Sequence, residues 1–239
     1  MTTTLIEVPT SGPLAHSLAC AGVRPGMVVH DAVGRAGFQQ AVAQVGATLI
    51  TAAGLPVERQ AALIRDLGAH VLHSTPSLAA QLADVLGRTE LELGIFCGES
   101  STPALRDRLE SALRIKALDA YGAATTAPCP CGRHTARLHR LLGRRADRLD
   151  VDGGPIFPSQ IEQVLLEQPG VGLTYQIVVG PRVLEVHCEP LHYFLDGPTL
   201  ADQVLTALRE RLGLDPVVVV ERPGSLPRTP GKAIRVTHR

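Results

Sequence analysis

Lysine is scarce in this sequence: 21 arginines stand against two lysines, Lys116 and Lys232. The bias also fits nucleotide composition, but a primary ammonium so rarely used draws attention to where it is kept. Lys232 lies in a Pro-Gly-Lys loop close to the last residue. An ammonium there could stabilise developing negative charge, and an ordinary solvated lysine fits the same residues. Cys129, Cys131 and His134, in CPCGRH, supply two thiols and an imidazole, the donor types of a zinc site, with His139, Cys97 or water as a fourth ligand. The C-x-C spacing is shorter than the common C-x₂-C hairpin and no second pair follows, so free thiols and a disulfide stay open beside zinc. Arg133, Arg137, Arg140, Arg144, Arg145 and Arg148 crowd one stretch, either as anion contacts or as a solvated basic linker. Neither H-E-x-x-H nor G-x-S-x-G occurs, which argues against a zincin and a nucleophile-elbow hydrolase.

The composition narrows the partners. Acidic and basic side chains balance at 23 each and tryptophan is absent, so neither the basic footprint nor the stacking platform of a general nucleic-acid binder is expected. An anionic membrane surface is disfavoured for the same reason. No apolar run reaches the roughly 18 residues of a membrane span. The first residues, MTTTLIEVPTSG, lack a basic region followed by an apolar one, so a cytoplasmic protein is expected. Five scattered cysteines do not make a secreted disulfide framework.

The elements that must position these residues fall into two textures. From Leu14 to Tyr121, short β-rich runs (MVVHDAV, ATLITAA, HVLHST, LELGIFCG, IKALDAYG) alternate with helical stretches such as PVERQAALIRDLG and PSLAAQLADVLG. This alternation predicts right-handed βαβ crossovers and a parallel sheet of at least five strands. Thr75-Pro76-Ser77 and Ser101-Thr102-Pro103 place a hydroxyl cap beside a first-turn proline, and Gly46, Gly68 and Gly87 are expected to close the helices before them. In PVERQAALIRDLG the spacing puts Ala61, Ala62, Ile64 and Leu67 inward and Glu58, Arg59, Arg65 and Asp66 toward water. Ligands in such layers bind beyond the carboxyl ends of the strands, here the loops STPS, CGESST and YGAATTAP. A Pro-, Gly- and Arg-rich stretch follows. After it come a helix (PSQIEQVLLEQPG), a hairpin about Gly180-Pro181, a second helix and the strand VVVVERPG, a small α+β lobe. The expected organisation is a parallel-sheet α/β domain over 1–128, a linker and hinge over 129–146, and a C-terminal α+β lobe over 147–239.

Several of these segments resemble the adenylate-forming, acyl/aryl-CoA synthetase superfamily, and within it the phenylacetate-CoA ligase branch. The likeness rests on GES at Gly98–Ser100, AYG at Ala120–Gly122, CPCGR at Cys129–Arg133 and GRRAD at Gly143–Asp147. It continues with GGPIFPSQIEQVLL from Gly153 and GSLPRTPGKAIRV from Gly224. The resemblance implies a two-lobe ligase scaffold using ATP/AMP and CoA on a small carboxylic acid. Lys232 would then stabilise charge as the carboxylate attacks the α-phosphate. Tyr121 with Gly122 would stack on adenine, Gly98, Glu99 and Ser100 would edge the same pocket, and Arg144 would contact the nucleotide at the hinge. Gly153 and Gly154 would line the pantetheine tunnel.

Departures from the family pattern fall on the ATP side. The phosphate-binding loop shortens to Pro9–Pro13 without a lysine, and the family's Thr-Glu after Tyr-Gly, whose Glu helps hold Mg²⁺, becomes Ala124 and Thr125. The first hinge aspartate is Ala146, and the stretch between Thr125 and Cys129 is too short for the subdomain that binds ribose. Mg²⁺ is therefore doubtful. Acid activation, ATP-independent handling of an acyl-CoA or activated acid, and a non-catalytic partner subunit are all compatible with such a chain. The reduced scaffold leads to the expectation of a homo-oligomer or a partner protein over the shortened face.

Overall fold

The computed structural model describes residues 5–6, 13–121, 124–125, 137–138, 147–151, 154–181, 183–191, 196–229 and 232–239. The chain divides into two compact units. One comprises Met1–Glu99, Leu109–Leu141 and Pro230–Lys232, the other Ser100–Arg108, Leu142–Thr229 and Ala233–Arg239.

In the first unit the elements run β1 (Leu5–Ile6), α1 (Pro13–Ala21), β2 (Val28–Asp31), α2 (Phe38–Val45), β3 (Thr48–Thr51), α3 (Val57–Asp66) and β4 (Val71–Ser74). They continue with α4 (Pro76–Val85), β5 (Leu93–Phe96), α5 (Pro103–Leu113, of which 103–108 fall in the second unit), β6 (Lys116–Tyr121), β7 (Ala124–Thr125) and β8 (Arg137–Leu138), where β1 and β8 pair antiparallel. The main sheet has the order β3-β2-β4-β5-β6-β7, parallel except for β7. Counted along the five parallel strands, that order is 2-1-3-4-5, so the winding reverses between β2 and β4.

Residue alternation assigns the two faces. Val29, Val71, Leu93 and Ile95 join Leu18, Phe38 and Val42 in one buried cluster under α1 and α2. Fully burying each large apolar side chain contributes roughly 1.5–3 kcal/mol. The helix boundaries follow local chemistry. Thr75 caps α4 by accepting the Leu78 N–H at 3.2 Å, and Thr102 accepts from Leu105 N–H at 3.1 Å ahead of α5. Gly46 and Gly68 adopt left-handed conformations after α2 and α3. Gly87 does not: Leu86 ends α4 in an extended conformation, φ −82° and ψ 118°. On α3 the inward residues are Gln60, Ala61 and Ile64, while Leu67 is 51% exposed. A glutamine takes the inward place because its side chain has partners on both sides, His30 at 3.1 Å and the Leu55 carbonyl at 2.9 Å.

The second unit contains the hairpin β9 (Leu149–Val151) and β10 (Gly154–Ile156), then α6 (Pro158–Glu167), β11 (Val171–Val179), β12 (Leu184–Pro190), α7 (Gly197–Leu212), β13 (Val217–Val220) and β14 (Val236–His238). Its sheet has the order β13-β12-β11-β14, with the central pair antiparallel and both outer strands parallel to their neighbours. Ile161, Val164 and Leu165 of α6, and Leu200, Val204 and Leu208 of α7, are buried, as are Ile177 and Val186 of the central strands. Among the described residues no helix is long and apolar enough to cross a membrane.

Candidate functional site

The carboxyl ends of β4 and β5 are tied together by Glu99. Its carboxylate accepts the Ser77 N–H at 3.1 Å and the Ser77 hydroxyl at 2.5 Å, joining the CGESST loop to the first turn of α4. Gly98 precedes it at φ 84°, a left-handed conformation that lets the chain leave β5 sharply. Ser100 is exposed. Of this tripeptide, Gly98 and Glu99 fall in the first unit and Ser100 in the second.

The remaining candidates are placed as follows. The Tyr121 backbone ends β6, paired with Ala124. Lys232 is exposed and falls within the bounds of the first unit. The other lysine, Lys116, is exposed at the amino end of β6, the opposite edge of the sheet from the ligand-facing loops. Gly154 opens β10 at φ 115°, and a Cβ there would meet nothing within 4 Å. Gly122, Arg144, Gly153, Cys129, Cys131 and His134 lie outside the described residues, and the zinc expectation with them. Among the described residues no group of three or more His, Cys, Asp or Glu side chains could hold a metal.

A second constellation at the same edge went unnoticed in the sequence. Asp31 ends β2, and its register partner across the winding reversal is His73 of β4. The His73 imidazole approaches Asp31 Oδ1 through Nδ1 at 2.8 Å and Cys97 Sγ through Nε2 at 3.5 Å. Asp31 Oδ1 also accepts the N–H groups of Val33 and Gly34 at 3.0 and 3.1 Å. Burial opposes ionisation of Asp31, but the His73 contact and these two N–H bonds outweigh it and hold its carboxyl below the ordinary range. Phe38 stacks on the His73 ring, centroids 3.9 Å apart and planes within 15°. The His73 and Asp31 side chains are nearly out of water, at 3% and 4% exposure, whereas Cys97 is half-buried. Burial pushes the Cys97 thiol up. Arg35 pulls it down, and Asp31 and Glu99 add to the rise. The available signal was a polar residue closing or just following each apolar strand, in VVHD, VLHS and LGIFC.

In the second unit, Glu189 on β12 organises the loop that leads to Lys232. Its carboxylate takes a two-pronged bond from Arg228, at 2.7 and 2.6 Å, and accepts the N–H groups of Gly224 and Leu226 at 3.0 and 2.8 Å. Burial alone would raise its pKa, but the Arg228 and backbone bonds prevail and lower it.

A parallel α/β sheet whose ligand-facing loops are joined at the carboxyl edge, followed along the chain by an α+β unit, is the adenylate-forming enzyme fold. The crystal structure of a 2-hydroxyisobutyryl-CoA ligase in the postadenylation state with its acyl-AMP shares it, at a TM-score of 0.82 over 98% of this chain and 71% of that one, with 22% identity. An anthranilate CoA ligase with anthranoyl-AMP gives 0.65 over 92% and 61%, at 15% identity. Residues 153–239 match the AMP-binding enzyme C-terminal domain. The phenylacetate-coenzyme A ligase of Pseudomonas putida is 36% identical, the match covering 93% of this chain and 71% of the relative. That of Thermus thermophilus is 26% identical, over 93% and 73%. The chain belongs to the phenylacetate-CoA ligase family.

Proposed function

We propose that this chain carries out acyl- or aryl-acid activation or thioester-type chemistry on a small carboxylic acid. The observation that carries this reading is the 36% identity to a phenylacetate-CoA ligase across 71% of that enzyme. The Glu99 link between the two ligand-side loops supports it. On this reading Lys232 meets the charge developing at the reacting centre. Tyr121, Gly122, Gly98, Glu99, Ser100 and Arg144 border the nucleotide, and Gly153 with Gly154 admits the pantetheine arm of CoA.

A second reading, ATP-independent handling of an acyl-CoA or activated acid, is favoured by Thr125 in place of a carboxylate and by the lack of a lysine in Pro9–Pro13. A single missing charge-stabilising donor already costs about 10²-fold or more in rate. Pyrophosphate exchange with a panel of aryl acids separates the two. Exchange that vanishes in Lys232→Ala supports ATP-driven activation, and its absence with every acid rejects that activity for the isolated chain. Saturable acyl-CoA binding or turnover without ATP then selects the second reading, and neither result leaves a non-catalytic partner subunit. Association with a second copy or another chain belongs to the proposal, and a clean monomer on sedimentation at micromolar concentration removes the homo-oligomer.

A further inference from the structure

The Asp31–His73–Cys97 row stands at the winding reversal of a parallel sheet, where open α/β layers bind ligands beyond their strand ends. Nothing in the proposed ligase chemistry uses it. Its geometry is that of a relay rather than a cage: Asp31 and Cys97 address opposite ring nitrogens of His73, so the three donors do not converge on one point where a cation could sit. With Nδ1 facing a carboxylate, the neutral imidazole carries its proton there and presents the Nε2 lone pair to the thiol. Phe38 and the two N–H bonds to Asp31 fix the ring and the carboxylate, while Cys97 is only half-buried. A nucleophile held by a base that is itself oriented by a third group is the arrangement used for acyl transfer.

We propose that Cys97 is an acyl-accepting nucleophile, with His73 as its general base and Asp31 as a positioning residue, and that its substrate is an activated acyl group such as an acyl thioester. The inference rests on the thioester reading given above. In the step, Cys97 Sγ bonds to the acyl carbonyl carbon and the carbon–sulfur bond to CoA breaks. The thiol proton passes to His73 Nε2 and from there to the departing CoA thiolate. Nothing is oxidised or reduced. Because burial disfavours a resting thiolate, the proton must leave during attack, which makes the base necessary.

The test incubates the full chain, without ATP, with phenylacetyl-CoA and separately with 4-nitrophenyl acetate. Intact mass, peptide mapping and release of CoA thiol or nitrophenolate are followed. Expected is one acyl group on Cys97, removable by neutral hydroxylamine, formed at least about 10²-fold more slowly in His73→Gln. The wild-type and His73→Gln rates should depend on pH differently, because only the wild type holds a base against the thiol. The His73→Gln rate should rise only as the thiol itself ionises, under Arg35, Asp31 and Glu99, which face it. Cys20 is an internal comparator, partly exposed and 3.5 Å from His16 on an outer helix turn. Should His73→Gln fail to fold, at least tenfold preference for Cys97 over Cys20 in the unaltered chain decides the matter. No acyl group on Cys97 from either probe, no preference over Cys20, or a pH profile unmoved in a folded His73→Gln overturns the proposal. Saturable binding of phenylacetyl-CoA is read separately from acylation of Cys97, so loss of the thioester reading and loss of this one are distinguishable.

Discussion

At Glu189 a carboxylate with only 5% side-chain exposure is held ionised by one arginine and two backbone N–H groups. Arg228→Met removes the charge partner and leaves the carboxylate buried. Urea denaturation should show a loss of about 2 kcal/mol, less than the ~3–5 kcal/mol of a fully buried pair because Arg228 is partly open to water. The sign of the pH effect follows from the lowered pKa. Unfolding returns the group to about 4.3, so the stabilisation is complete above that value and disappears as pH falls through the lower folded-state value. In Glu189→Gln the urea midpoint should therefore vary less with pH below about 4.5 than in wild type, and an unchanged slope would discount the pairing. Asp31 adds acid sensitivity of the same sign in the other unit.

Among the elements, the turn after β2 depends on one residue. Gly34 sits at φ 72°, and a Cβ there would lie 2.9 Å from Ala53 Cβ, while its N–H holds Asp31. Gly34→Ala should lower stability by about 1–2 kcal/mol and also slow Cys97 acylation, read by thermal unfolding and the acylation assay together. At the start of α4, Thr75→Ala should cost about 1 kcal/mol in urea denaturation through loss of the cap to Leu78. Such caps, the βαβ alternation and the hairpin at Gly180-Pro181 were legible because each is written in contiguous residues. Inward-facing Gln60 and outward-facing Leu67 were not, since hydrophobicity alone assigns a helix face and Gln60 goes inside on the strength of a partner thirty residues away. Strand order escaped for a similar reason. Asp31, His73 and Cys97 become neighbours only when the third parallel strand crosses back over the first two, and nothing local in VVHD, VLHS or LGIFC encodes that reversal. The nucleotide-side motifs were readable only by resemblance, and Gly122 and Arg144 among them fall outside the described residues.

Across the whole molecule, buried Cys188 reports on the opening of the second unit, while the half-buried Cys97 and Cys20 of the first do not need opening to react. Cys188 has no exposure and burial pushes its thiol to about 12, with Glu189 and Glu221 adding to the rise. In native buffer an uncharged alkylating reagent should modify Cys97 and Cys20 and spare Cys188. Reaction at Cys188 should then climb with denaturant in step with loss of the second unit, and native labelling would contradict the burial. The Glu189 anchor has one further effect on scale. Glu189 pins Arg228, and a covalent leash of four chain steps leads from there to Lys232. At ~3.5 Å of chain per residue, the four steps keep the Lys232 Cα within about 14 Å of the Arg228 Cα. Lengthening the leash by one glycine would loosen the aim of the charge without touching any residue that holds it.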